Sequence, residues 1–166
     1  ALFGGLQVVT RDGATVHHVG LPPPPGLKAV LFVPDFTMPT QQSRRVLPQS
    51  LSRADAIHNI GRASLLVAAL AAGRLDVLDA ASQDKLHQPA RSQLFPAMYA
   101  LFQAARDAGA HCAYLSGGGS TICALASEGE EAIAQAMAKA AQKRGVAGET
   151  MITALTEGGG QVVEGS

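Results

Sequence analysis

The sequence contains no tryptophan, and only 4% of its residues are aromatic. A chain so poor in aromatic side chains offers no stacking platform for nucleic-acid bases. Its 13 basic residues balance 13 acidic ones, so no long-range field attracts nucleic acid or an anionic membrane surface. No stretch approaches the roughly 20 apolar residues that a bilayer span requires. We therefore expect a soluble protein whose function depends on a local site.

Cysteine is also scarce, with Cys112 and Cys123 as the two examples. Both fall on predicted strands of one hairpin. If Ser116 faces Thr121 across that hairpin, the two sulfur-bearing residues are diagonal neighbours about 7 Å apart, which is long for a disulfide. Two cysteines cannot complete a four-ligand zinc site, and the histidines show no companion spacing. We expect buried, reduced thiols and no metal site.

The 166 residues suit one domain, or one domain with the edge of another. Two β-prone runs, 6–10 and 15–19, predict a hairpin around a glycine turn. The prolines at 22–25 predict a boundary after it. The hairpin has no helix of its own, so we assign 1–25 to a domain whose remainder is absent and 26–166 to a second domain. Residues 1–19 should therefore pair with strands from outside or leave an exposed edge.

The second domain alternates β-prone runs with helical patterns. The predicted strands are 28–33, 112–116, 121–126 and 151–156, with a turn at 158–160 leading to a short run at 161–163. The predicted helices are a short one capped by Thr40, a long one capped by Ser52 and ending at Gly73, and three more over 75–85, 97–108 and 130–143. This order predicts an α+β layer, ferredoxin-like with extra helices between the first two strands.

The long helix has apolar and small residues at helical spacing, as on the apolar stripe of an amphipathic helix. These residues are Ile57, Ile60, Ser64, Val67 and Ala71. This spacing predicts one long helix that ends at Gly73.

The segment 114–121 is the most informative for function. Its central residues are Ser116, Gly117, Gly118, Gly119, Ser120 and Thr121. Three glycines allow a backbone to approach a ligand closely and to point N–H groups at an anion. It is not a Walker loop, because no lysine follows the glycines, nor a dinucleotide fingerprint, because a strand follows. From the glycines alone, a purely structural turn is an equally good interpretation.

Two arginines lie in proline-bounded segments, Arg44 in 40–48 and Arg91 in 87–96. A planar guanidinium binds a carboxylate or a phosphate through two hydrogen bonds. A solvated surface arginine is the alternative for either one taken alone.

Three other polar residues are candidates for the same site. His87 is a candidate general acid or base, with a packed or exposed side chain as the alternative. Asp35, just after the first strand, has a similar ambiguity. Asp84, His87 and Arg91 lie at helical spacing and could form one polar cluster, although we expect Pro89 to break the helix between them.

Together and in this order, the segments resemble the homoserine kinases of the GHMP small-molecule kinase superfamily. The resemblance extends from residue 1 to about 156, and the matching motifs are ALFGG at 1–5, VPD at 33–35, TQQSRRVLP at 40–48, LHQPAR at 86–91 and LSGGGST at 115–121. It implies the ferredoxin-like GHMP C-terminal domain. The activity implied is ATP-dependent phosphorylation of the L-homoserine hydroxyl, with Mg²⁺ accompanying ATP, on the route to threonine.

Carried over by residue, the resemblance assigns Arg44 and Arg91 to the amino-acid substrate and the loop from Ser116 to Thr121 to the phosphates. Gly118 and Ser120 replace a small residue and a proline of the usual family loop. We expect Gly118 to be tolerated and the loss of the proline to loosen the turn. The substrate assignment further predicts that the two arginines and the loop converge on one concavity.

The family's main phosphate loop belongs to its N-terminal half, which this sequence lacks. The chain also begins with Ala1 rather than Met, so we expect a processed or partial product that does not turn over ATP alone. One hypothesis is half of a homoserine kinase that is active with its other half. Another is a non-catalytic structural or interaction subunit of a larger assembly. Small-ligand sensing by a ferredoxin-like regulatory domain is a third, on fold alone.

The expected partners are ATP, L-homoserine and the missing half or another chain, with no nucleic acid and no membrane span. A homodimer or a larger assembly stays open. So does the choice between cytoplasm and plastid stroma.

Overall fold

The computed structural model describes residues 3–160 and shows an α+β chain that begins with an isolated hairpin. The strands are β1 (Leu6–Asp12), β2 (Thr15–Leu21), β3 (Lys28–Pro34), β4 (Cys112–Leu115), β5 (Ile122–Ala126) and β6 (Gly148–Ala154). The helices are α1 (Thr40–Arg45), α2 (Arg53–Ala71), α3 (Leu78–Ala81), α4 (Gln88–Arg91), α5 (Met98–Asp107) and α6 (Glu130–Lys143). The turn and short run predicted at 158–163 extend beyond the described residues.

The hairpin forms a separate two-stranded sheet, as the sequence predicts. Its strands run two residues further than expected and turn at Gly13, whose φ is +56°. The valines of both strands are largely exposed, between 41% for Val8 and 63% for Val19. The described part of the chain therefore leaves the hairpin uncovered, as expected for a strand pair that lacks material to bury its faces.

The second sheet has four antiparallel strands in the order β4-β5-β3-β6. Strand β3, which comes first in sequence among these four, lies inside the sheet and pairs with both β5 and β6. This is the ferredoxin-like arrangement that the order of elements predicts, with α1 to α4 inserted between β3 and β4.

One face of this sheet is covered by α5 and α6. The sheet contributes Val30, Phe32 and Ile122 to the contact, each at most 1% exposed. Both helices are amphipathic, with Leu101 among the buried residues of α5 and Met137 among those of α6. Burying such side chains is the main favourable term in folding.

The opposite face is covered by α2 and α3 over a smaller cluster. Its buried members are Leu27, Ala29, Ala69, Leu78, Cys112, Cys123 and Leu125. Cys112 lies opposite Leu125 and Cys123 opposite Tyr114, so the predicted register of this hairpin is confirmed. Both thiols are free and buried, and burial raises the pKa of Cys112 to about 12. The two cysteines are therefore buried thiols without a disulfide, as the sequence predicts.

The residues whose spacing predicts α2 do not form its packed face. Ile57, Ile60 and Val67 are 58%, 67% and 36% exposed, and Ser64 and Ala71 are exposed as well. The helix packs instead through a second apolar stripe, formed by Leu66, Ala69 and Leu70. Its end is nearly all apolar, so helical spacing alone does not decide which side faces the sheet.

Two local predictions are wrong. The N-cap of α1 is Pro39 rather than Thr40, because Ser43 N already donates to the Pro39 carbonyl at 2.9 Å. The helix predicted over 75–85 is a 3-10 turn at Leu75–Val77 followed by α3, which ends at Ala81. The Ser52 cap of α2 is confirmed, since its hydroxyl accepts from Asp55 N at 3.0 Å.

Candidate substrate and phosphate site

The glycine loop between β4 and β5 is a tight turn held at both ends. Ser116 N donates to the Thr121 carbonyl at 2.9 Å, and Gly119 N donates back to the Ser116 carbonyl at 3.0 Å. Gly117 and Gly119 have φ of +55° and +94°, a region that side chains with a Cβ disfavour. The glycines at these two positions are therefore required by the backbone.

The carbonyl groups of the loop are turned toward protein donors. Arg91 Nη1 donates to the Gly117 carbonyl at 2.8 Å. Ser43 Oγ, buried on α1, donates to the Gly118 carbonyl at 2.7 Å. In a trans peptide the C=O and the N–H point in opposite directions, so the Gly118 N–H points away from Arg91. A loop with its carbonyls fixed inward is suited to present amides to an anion.

The two departures from the family's loop have different local settings. A Cβ at Gly118 would lie 3.8 Å from Ser43 Oγ, an ordinary contact, which agrees with the expected tolerance at this position. Ser120, which replaces the proline, donates from its hydroxyl to the Phe36 carbonyl at 2.8 Å. This bond ties the loop to the segment after β3, and the loosening of the turn stays a prediction.

The short helix α4 carries Arg91 to the loop. No helix joins Asp84 to Arg91, as expected, but the interruption precedes Pro89, which lies in the first turn of α4, where its missing N–H is not needed. Gln88, one residue earlier and 9% exposed, accepts at Oε1 from Leu115 N at 2.9 Å. The helix is thus joined to the end of β4 and to the loop through side chains one turn apart.

Asp84 closes the turn that leads into α4. Its carboxylate accepts from the backbone N–H groups of Leu86 and His87 at 3.0 and 2.8 Å, and from that of Gln88. It also accepts from Asn59 Nδ2 of α2 at 2.7 Å. Burial alone would raise the pKa of Asp84, but these hydrogen bonds outweigh it and lower the pKa below its ordinary value.

These contacts replace the polar cluster that sequence spacing suggested. His87 does lie beside Asp84, with Nδ1 3.4 Å from Oδ1, and its side chain is half exposed. Arg91 bonds to the loop instead. Sequence reasoning missed the roles of Gln88 and Asn59. An aspartate four residues before a Gln-Pro pair is the signal that predicts such a turn, since short acidic side chains accept local N–H bonds.

A cavity of about 400 Å³ opens beside Arg91, between α2, the turn before α4 and the loop. Its lining residues include Asn59, Arg62, Leu66, Asp84, His87, Arg91, Tyr114 and Gly117. Two guanidinium groups therefore share this wall with one carboxylate, and the volume lies in the range of small-molecule sites. Among residues 3–160, Arg91 Nε is buried without a hydrogen-bond partner. An acidic ligand would meet a surplus of donors here.

Arg44 lies on α1 directly after Ser43, the residue that bonds to the loop. Ser43 is 1% exposed, whereas the Arg44 side chain points to solvent. The structure thus brings α1 to the loop through Ser43, a contact that the sequence did not predict. The substrate role of Arg44 stays a prediction.

The part of the chain that the structure describes contains no helix long and apolar enough to span a bilayer. Across the same residues, no group of three or more His, Cys, Asp or Glu side chains is placed to hold a metal ion. Free backbone N–H groups of a glycine loop can bind an anion such as a phosphate.

Comparisons with known proteins agree with this architecture. Residues 66–143 match the family described as GHMP kinases C terminal. The homoserine kinase of Moorella thermoacetica is 44% identical over 88% of this chain and 49% of its own length. That of Deinococcus radiodurans is 47% identical over 74% of this chain and 40% of its own. The chain therefore spans about half the length of these relatives, or less.

A solved structure of a homoserine kinase also matches this chain over about half of its own length. The crystal structure of homoserine kinase from Cytophaga hutchinsonii superposes with a TM-score of 0.88 and 30% identity, covering 95% of this chain and 50% of that one. The chain belongs to the GHMP kinases and carries their C-terminal domain. Within that family, its sequence and fold group it with the homoserine kinases.

Proposed function

We propose that this chain supplies the amino-acid pocket and one phosphate-side loop of a kinase that transfers the γ-phosphoryl group of ATP to the hydroxyl of L-homoserine. The similarity to homoserine kinases supports the reaction. The cavity beside the glycine loop supports the division of roles within the chain. Mg²⁺ as the companion of ATP, and a place on the route to threonine, are part of the same proposal.

The observation that carries the proposal is the 2.8 Å hydrogen bond from Arg91 Nη1 to the Gly117 carbonyl. It fixes a cation at the point where the cavity meets the loop. Because Arg91 and Gly117 both line the cavity, a carboxylate held by Arg91 would lie beside the first part of the glycine loop. Fixing a nucleophile and an acceptor beside each other lowers the barrier because orientation is settled before reaction.

In this arrangement each group of the chain has a limited task. Arg91 holds the substrate carboxylate, and Arg44 is proposed to assist it. The Gly118 amide faces the phosphate oxygens and stabilises the charge that develops on them. ATP, when bound, supplies the phosphoryl group: the substrate oxygen forms a bond to the γ-phosphorus, the bond to ADP breaks and the hydroxyl proton is released. Most nucleotide contacts are assigned to the N-terminal half.

Replacement of Arg91 by alanine tests the proposal in the complete kinase, that is, this chain together with an N-terminal half. We expect the KM for L-homoserine to rise by a factor that corresponds to a loss of about 2–4 kcal/mol in binding free energy. The KM for ATP should change little. Arg74→Ala is the matched control, because Arg74 is exposed and pairs with Asp76 on the surface. It should leave both KM values unchanged.

The isolated chain should show no kinase activity with either residue at position 91. If the complete protein phosphorylates homoserine and Arg91→Ala leaves its kinetics unchanged, the substrate role of Arg91 is wrong. If the complete protein has no activity on homoserine, the non-catalytic subunit becomes the better interpretation.

A further inference from the structure

The four acceptor positions of the Asp84 carboxylate are all used, three by the turn before α4 and one by α2. Oδ1 accepts from Leu86 N at 3.0 Å and from Asn59 Nδ2 at 2.7 Å. Oδ2 accepts from His87 N at 2.8 Å and from Gln88 N. A carboxylate has about four such positions, whereas an asparagine amide can accept only at its oxygen. No other side chain of this size can satisfy the same set of donors.

This turn determines where α4 begins. Helix α4 has only four residues, too few to be stable without outside partners. The backbone N–H groups of 86–88 all donate to Asp84, and Pro89 has none. Asn59 also accepts from Lys85 N at 2.9 Å, which fastens the turn to α2. The start of α4 is therefore fixed by side chains and not by helix length.

The far side of α4 is fixed by two hydrogen bonds, one to the end of β4 and one to the glycine loop. Gln88 accepts from Leu115 N at 2.9 Å, and Arg91 donates to the Gly117 carbonyl at 2.8 Å. The two side chains are three residues apart, on one face of the helix. Leu115 and Gly117 lie on either side of Ser116, so these two bonds fix the backbone of 115–117, where β4 leads into the loop.

We infer that Asp84 and Gln88 are positioning residues, which hold the guanidinium of Arg91 and the glycine loop in the relative placement that phosphoryl transfer needs. The inference rests on the proposed function of Arg91. Asp84 fixes the turn before α4, and Gln88 fixes α4 to the end of β4. Asp84 lies on the wall of the cavity and is proposed to act on substrate through Arg91.

The test is a double-mutant cycle in the complete kinase. Asp84→Asn leaves at least one backbone N–H without its acceptor, so we expect the KM for L-homoserine to rise between about tenfold and a hundredfold, with a smaller change in the KM for ATP. If Asp84 acts through Arg91, Asp84→Asn should have almost no further effect on that KM in an Arg91→Ala background. Fully additive effects would overturn the inference. Asp76→Asn, an equal change of charge at an exposed ion pair, should leave the kinetics unchanged.

Gln88→Leu provides a second variant in case Asp84→Asn does not fold. It removes the acceptor of Leu115 N and leaves the Asp84 turn intact, and it should show the same lack of additivity with Arg91→Ala.

Amide hydrogen exchange on the complete protein separates this inference from the proposed function. The Gly119 amide, which donates within the loop, should exchange faster in Asp84→Asn and Gln88→Leu than in the wild type and in Asp76→Asn. If the Gly119 amide exchanges faster in these variants but the complete protein does not phosphorylate homoserine, the positioning role is retained and the proposed substrate is wrong. Unchanged exchange in both variants would overturn the positioning role, whatever the activity.

Discussion

The two faces of the four-stranded sheet are built differently. The face under α5 and α6 is closed by apolar side chains, and its cluster includes Phe32, Leu101, Ile133 and Met137. The face under α2 and α3 has a smaller cluster, and its outer helix exposes Ile60 to solvent. The candidate site lies on this second side, beyond α3, where hydrogen bonds of side chains replace packing.

This difference indicates that one face of the sheet mainly stabilises the fold and the other mainly orders the candidate site. The first face holds the sheet together, since dense apolar packing tolerates little change in volume. The second side orders a turn, a four-residue helix and a glycine loop, none of which buries enough surface to be stable by itself. Substitutions should therefore affect the free energy of unfolding most on the first face and ligand binding most on the second.

The largest effect on stability is expected from Leu101→Ala. Leu101 is 0% exposed in the cluster under α5. The truncation removes apolar contacts and leaves a cavity, so the free energy of unfolding should fall by about 2–5 kcal/mol. Urea denaturation followed by circular dichroism measures this change.

Ile60→Ala is the matched control on the second side. Ile60 is 67% exposed, so its truncation should change the free energy of unfolding by less than about 0.5 kcal/mol. A loss comparable with that of Leu101→Ala would show that this side of α2 is covered in solution, and the comparison of the two faces would have to be revised.

Local signals in the sequence predicted most of the fold. The cap at Ser52, the span of α6 and the register of the β4–β5 hairpin follow from capping, periodicity and turn chemistry, which depend on neighbouring residues. The packed side of α2 was not predictable in this way. Its second half is apolar all round, so only the position of the sheet selects the side that faces inward.

The candidate site was predictable only in part. The glycine loop and Arg91 were predictable because three consecutive glycines and an arginine in a proline-bounded segment are recognisable in the sequence. The contacts of Ser43 with Gly118 and of Gln88 with Leu115 join residues 75 and 27 positions apart, and no local pattern encodes them. The turn at Asp84 replaced the end of a predicted helix because a carboxylate competes for backbone N–H groups.

An intermediate effect is expected at the glycine loop, where backbone geometry replaces packing. Gly119 has a φ of +94°, and a Cβ there would also come within 2.9 Å of Met38 Sδ. Gly119→Ala should therefore reduce the free energy of unfolding by about 1–2 kcal/mol. Gly118→Ala has ordinary room for its methyl group and should stay near the wild type. Equal losses at the two positions would contradict the loop geometry, and thermal denaturation of the pair distinguishes these outcomes.

The smallest effect is an acid-dependent one at Asp84. Burial by itself would raise the pKa of this carboxyl, but the hydrogen bonds from Gln88, Asn59, Leu86 and His87 outweigh it and hold the pKa below its ordinary value. A group whose pKa is lower in the folded state stabilises the fold at pH values above its unfolded pKa, which is about 4 for aspartate. The contribution is lost as the pH falls through the folded-state pKa.

Asp84→Asn should therefore be less stable than the wild type near neutral pH, by about 1 kcal/mol if the carboxylate contributes as much as a helix cap. The difference should shrink as the pH falls from about 4 through the lower folded-state pKa, because the wild-type carboxyl becomes protonated there and gives up acceptors as well. Urea midpoints measured across that range test the sign. Asp107→Asn, at an exposed carboxylate that accepts from Gln103, should keep the wild-type profile. If Asp84→Asn loses stability in acid as steeply as the wild type, the carboxylate does not hold 84–88 together, and the second side of the sheet is ordered by packing as the first is.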